Sequence, residues 1–174
     1  MMIIYIFIFI IGLVFGSFYN VVGLRLPNKE SIIMPGSHCT MCKHKIKFYD
    51  NIPVLSYIFL RGKCRYCNEK ISIIYPIFEL ITGLLFLLCF IKFGFSLKFI
   101  SSIIIISTLI VISISDIKYY IIPDSVLIFG SLLLIIVYIT SCILYKYSFY
   151  THLLLPIIHG ISSFALLYIF ARKM

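Results

Sequence analysis

The chain has 174 residues, of which 62% are hydrophobic and 12% charged. That is about half the charged share of a soluble globular domain, and mean hydropathy is +1.13, which excludes a soluble domain folded around one core and predicts an all-α polytopic membrane protein. The net charge of +9 does not point to nucleic acid, because the basic residues flank apolar spans and report topology instead.

About five transmembrane helices are predicted. The first covers residues 1–24, with no charge before Arg25; it lacks the basic start and small-residue cleavage site of a signal peptide and reads as a retained helix. A polar insert follows at residues 25–70. The second span, 71–91, contains Pro76 and Glu79; the third, 99–115, is short and is expected to sit with little tilt. The fourth is 125–145 and the fifth 153–170. The region after the insert, 71–174, reads as one transmembrane unit. Twelve of the fifteen Lys and Arg residues fall on the side that carries the insert, and only Lys92, Lys98 and Lys146 on the other. The positive-inside rule therefore places the insert in the cytoplasm and the N-terminus outside.

The insert contains "HCTMC" (38–42) and "CRYC" (64–67), two C-x2-C pairs separated by twenty-one residues. This spacing predicts a small zinc-ribbon-like insert with Cys39, Cys42, Cys64 and Cys67 around one Zn²⁺. Four thiolates close the shell, so the site is expected to be structural. The metal would supply folding energy to a segment too short for a core of its own. A cytoplasmic location argues against disulfides. His38 and His44 flank the first pair and read as loop histidines; Cys89 and Cys142 lie in spans and read as packing residues.

The chain has only six acids, which makes those at the membrane informative. Glu79 lies within apolar sequence, where a carboxylate is either functional or neutral and hydrogen-bonded near the interface. "SISDIKYYIIPD" (113–124) places Asp116 and Asp124 either side of Lys118. On one continuous helix eight residues rise about 12 Å, too far for two carboxylates to share a water. Pro123 instead predicts a turn, and Asp124 is expected to cap the next helix. His159, in the fifth span, reads as a packed histidine. A metal transporter is disfavoured, because the spans lack an aligned series of ligands.

Four stretches, "GSFYNVVGLRLP" (16–27), "SHCTMCKHKIKFYDNIPVLSYIFLRGKCRYC" (37–67), "ISIIYPIFELITG" (71–83) and "DIKYYIIPD" (116–124), together resemble the type IV prepilin peptidases, in that family's order. The resemblance implies a bifunctional leader peptidase and N-methyltransferase of the bacterial inner membrane. Such enzymes are aspartic peptidases. They cut type IV prepilins and pseudopilins after the glycine that ends a basic leader, then methylate the new N-terminus with S-adenosylmethionine. Cys39, Cys42, Cys64 and Cys67 match the family's cysteines and Asp116 its first catalytic aspartate. Asp124 and Glu79 would be supporting residues, and the methyl-donor site is unassigned. The family's second catalytic aspartate lies in a GxGD motif. This sequence has no GxGD and no aspartate after Asp124, while "HGISSFALLYIFARKM" (159–174) resembles the span that precedes the motif. The expectation is a chain shortened at its C-terminus that does not cleave prepilin alone. The alternative is a non-catalytic zinc-ribbon membrane adaptor, or one half of a split peptidase.

Overall fold

The computed structural model describes residues 2–39 and 41–145; the expected fifth span, with His159, lies outside them. Four described helices are long and apolar enough to cross a membrane: α1 (Met2–Arg25), α3 (Ile74–Phe93), α4 (Leu97–Tyr119) and α5 (Asp124–Tyr145). Between α1 and α3 lie a 3-10 turn (Phe48–Asn51) and the short helix α2 (Leu55–Phe59). Among the described residues, β pairing is limited to two isolated bridges. The polytopic all-helical architecture with a cysteine-bearing insert is thus as expected.

The chain divides into two compact units, residues 1–134 and 135–174. In the second, the described residues are the last turns of α5, where Thr140 Oγ1 donates to Ile136 O (2.8 Å) and Ser141 Oγ to Tyr138 O (2.7 Å). These bonds satisfy hydroxyls that lipid would otherwise leave unpaired.

The first unit is held by close helix contact. Lipid gives apolar helices no hydrophobic drive to associate, so backbone approach and dispersion decide the packing. Gly12 and Gly16 let α1 lie directly on α3. A Cβ at Gly12 would stand 2.7 Å from Gly83 Cα, and one at Gly16 would stand 2.7 Å from Glu79 Cα. Gly23 performs the same service against Ile114 of α4. A hydrogen bond between Tyr19 Oη and Ser107 Oγ (2.6 Å) also ties α1 to α4. At the end away from the insert, Phe90 packs edge-on against Tyr5, Phe95 and Phe99, with centroids 5.8, 4.7 and 5.4 Å away.

Two span boundaries differ from expectation. The third span is not short: α4 has 23 residues, continuing through Lys98, Asp116 and Lys118. Long charged side chains at helix ends reach the interface while their backbone stays helical. Its start is set by Ser96, whose side chain accepts from the Phe99 N–H (3.3 Å). The second span starts at Ile74 rather than 71, because Ile71 is drawn into the insert by its N–H bond to Gly62 O (2.8 Å).

Candidate metal centre and carboxylate site

The two cysteine pairs occupy turns of the same construction. In the first, the Cys39 N–H donates to His44 O (3.0 Å), the Lys43 N–H to Cys39 O (2.9 Å), and His38 bridges to Lys45. In the second, the Cys64 N–H donates to Glu69 O (2.8 Å), the Asn68 N–H to Cys64 O (3.0 Å), and Lys63 bridges to Lys70. The offsets are identical. Lys43 and Asn68, each directly after its second cysteine, adopt φ of 57° and 58°. The left-handed residue turns the chain back and presents both thiols of a pair to one side.

The four Sγ atoms lie within 4.8 Å of one another, and Cys39 and Cys67 are 3.7 Å apart. The cluster can hold a metal ion, and all four of its ligand atoms are cysteine sulfur. The Cys39 thiol is lowered to about 6, first by the Cys42 backbone N–H. At Cys67 the Glu69 backbone N–H pulls downward, but desolvation and the thiols of Cys42, Cys64 and Cys39 outweigh it and push the group up to about 12. The first thiolate forms readily and the last is resisted by its neighbours; a cation removes that resistance. Neither histidine belongs to the four-thiol cluster: His38 Nδ1 lies 2.9 Å from Gly36 O, and the His44 ring stacks on Tyr66 at 3.6 Å.

Beside the second pair, Arg65 grips Asp50 through two bonds, Nε–Oδ2 at 2.9 Å and Nη2–Oδ1 at 2.5 Å. Arg65 and Lys47 also lie over the Tyr49 ring, 5.5 and 5.6 Å from its centroid. The hydrogen bond from Arg65 holds the Asp50 carboxyl below its ordinary range. These groups border an open cleft of about 590 Å³ whose lining includes His44, Lys45, Lys47, Tyr49 and Tyr66.

Glu79 is buried on α3, and its Oε2 accepts from the Val54 N–H at 2.7 Å. This bond ties the insert to the bundle. Val54 has φ 61°, an outlier for a β-branched residue that costs about 1–3 kcal/mol.

Asp116 lies in the last turn of α4, exposed, on the membrane face that carries the insert. The turn that follows is fixed from within: Tyr120 takes φ 56°, its N–H donates to Asp116 O (2.8 Å), and the buried Ser115 Oγ donates to Ile121 O (2.6 Å). The Asn28 side-chain amide reaches Tyr119 Oη (2.9 Å), joining this turn to the exit of α1. Asp116 and Asp124 therefore sit on separate helices. Asp124 does not make the expected cap: it is the first residue of α5, one position too late, and among the described residues its carboxylate accepts no hydrogen bond. Its charge still favours the positive end of the helix dipole.

Several contributing residues escape the sequence reading. Val54, the partner of Glu79, carries no signal, since valine disfavours the conformation it adopts. Asn20 donates to Tyr75 O (3.1 Å), its buried Oδ1 has no partner among the described residues, and it borders a cavity of about 50 Å³ shared with Ile114, Ile117 and Lys118. The Gly12–Gly16 spacing is a readable signal of close helix packing.

Comparison with known proteins places these features in context. A family profile described as the bacterial peptidase A24 N-terminal domain matches residues 10–93. That stretch includes the cysteine insert and Glu79 and ends before Asp116. A prepilin leader peptidase/N-methyltransferase of Myxococcus xanthus is 41% identical over 127 residues, covering 73% of this chain and 38% of the relative. One from Bacillus subtilis is 43% identical over 122 residues, covering 70% and 49%. One from Klebsiella pneumoniae is 37% identical over 124 residues, covering 68% and 54%. The chain thus spans about half or less of the length of these curated relatives. No solved structure matches it.

Proposed function

The chain belongs to the prepilin leader peptidase/N-methyltransferase family, and from that premise we propose that it supplies the N-terminal domain and first catalytic carboxylate of such an enzyme in the bacterial inner membrane. The substrates are prepilins or pseudopilins, met at the cytoplasmic face. The observation that carries this reading is that the four-thiol cluster and Asp116 lie on the same membrane side, where Asn28 at the exit of α1 hydrogen-bonds Tyr119 at the end of α4.

Aspartic proteolysis needs an ionised carboxylate to take a proton from the attacking water and a protonated one to donate to the carbonyl oxygen. Asp116 is one member of that pair. Asp124 starts a different helix and acts in support rather than as the second member. The metal is zinc: four thiolates about 2.3 Å from one ion stand about 3.8 Å apart, close to the separation of Cys39 and Cys67. With four sulfur ligands it holds the insert folded and leaves no position for water. The methyl donor is S-adenosylmethionine. Its site is unassigned.

The test is leader removal from a prepilin in reconstituted membranes. Cleavage is expected when the chain is co-expressed with the C-terminal portion of the Bacillus subtilis relative, and Asp116→Asn is expected to reduce it on the order of 10⁴-fold. Cleavage unaffected by Asp116→Asn would overturn the assignment of Asp116. Failure of every combination, with the metal retained, favours the non-catalytic adaptor.

A further inference from the structure

The segment 52–59 has no role in the function proposed above, yet it combines three unusual features. Among the described residues, its one side-chain hydrogen bond to a membrane helix is from the Val54 N–H to the buried Glu79 carboxylate. Val54 is held at positive φ. The helix that follows turns apolar side chains outward: Leu55, Ile58 and Phe59 are 51%, 62% and 80% exposed. Positions i, i+3 and i+4 share one face of a helix, so these residues form a single apolar face rather than scattered exposure.

The depth of this face follows from Glu79. Its Cα lies five residues into α3, roughly 8 Å along the helix axis. Helical side chains lean toward the N-terminus, which brings the carboxylate back toward the start of α3. The amide it captures therefore lies level with the first two turns of a membrane-spanning helix, not out in the aqueous phase. At that level the neighbouring surface of α3 is itself apolar and exposed, at Ile74, Ile77 and Leu80. Immediately after α2 and Leu60 comes Arg61, exposed and suited to the headgroup layer.

We infer that α2 is an interfacial helix, lying in the bilayer surface with Leu55, Ile58 and Phe59 toward the acyl chains, and that Glu79 is the positioning residue that holds it there. The occupant of the apolar face is lipid, because Val54, one residue before α2, is held by Glu79 at the level where α3 itself exposes Ile74, Ile77 and Leu80. The strained Val54 conformation redirects the chain so that its N–H faces the bundle while the next turn faces outward.

The chain contains no tryptophan, so Phe59→Trp introduces a single reporter. In nanodiscs of phosphatidylethanolamine and phosphatidylglycerol with brominated acyl chains, this tryptophan is expected to emit at short wavelength and to lose emission to bromine, while acrylamide in the water quenches it weakly. Combined with Glu79→Ala, the emission is expected to shift to longer wavelength and become accessible to acrylamide; with Glu79→Gln, which keeps an acceptor oxygen, lipid quenching is expected to persist. Zinc content shows in each case that the insert remains folded. Strong acrylamide quenching without bromine quenching in the Phe59→Trp chain overturns the interfacial placement and leaves the face to a protein partner. Unchanged bromine quenching in the Glu79→Ala chain overturns the role of Glu79.

Discussion

The cysteine insert and the membrane bundle solve the same problem by opposite means. The insert leaves large apolar residues such as Phe48 and Phe59 exposed and gains its order from four converging thiols, two matching turns and an ion pair. The bundle uses no ion pair among the described residues; it relies on backbones brought together at Gly12, Gly16 and Gly23. The difference teaches that the two regions should fail separately, one through chemistry and the other through volume.

The largest expected effect comes from attacking the chemistry. Cys64→Ser removes one ligand and leaves three thiols that resist sharing charge. Structural zinc sites of this kind contribute about 10–16 kcal/mol of apparent binding free energy at neutral pH. Loss of bound zinc and rapid proteolysis within residues 25–70 are expected, with the helical circular dichroism of the bundle and its melting largely retained. Zinc measurement together with mass mapping of the fragments checks this. A bundle that melts with the insert would break the comparison.

A smaller effect is expected from attacking the volume. Gly16→Leu places a side chain where even a Cβ would stand 2.7 Å from Glu79 Cα, so α1 must move off α3. Overpacking of this kind costs about 1–3 kcal/mol. The thermal midpoint of the helical signal in detergent is expected to fall while zinc content stays at one per chain. Because Glu79 lies at the contact, segment 52–59 is also expected to exchange its amide hydrogens faster, which would show where the two regions meet.

This division also explains what is legible in the sequence. The cysteines are legible because metal chemistry fixes both residue type and spacing, and the spans because lipid demands length and apolarity. The ends of α4 are not, because a charge count halts at Lys98 and Asp116 although the backbone continues through both. Asp116 is legible as a functional candidate only by resemblance. Nothing in its own surroundings distinguishes it, since the turn that holds it is built from Ser115, Tyr119 and Tyr120. The Glu79–Val54 bond is not legible at all: it joins residues 25 apart through a backbone group, and backbone groups leave no mark on composition.

The smallest expected effect concerns the ion pair that braces the insert, and it is a matter of pH. The Arg65 hydrogen bond holds the folded-state Asp50 carboxyl below its ordinary range, so the folded insert binds that proton less readily than the unfolded chain does. The pair therefore stabilises the insert above the unfolded carboxylate value, about 3.9, and the contribution is lost as pH falls through the lower folded value. Arg65→Met removes the main cause of the depression and leaves only the weaker pull of Lys47. Both chains protonate their thiols and release metal as pH falls, so the difference between them isolates the pair. The variant is expected to match the native chain in zinc content at neutral pH, and to begin losing amide protection around Tyr49 and Tyr66 at a higher pH. Equal acid profiles would mean that the cysteines alone hold the insert and that the bidentate contact, although well formed, contributes nothing measurable, as many exposed ion pairs do.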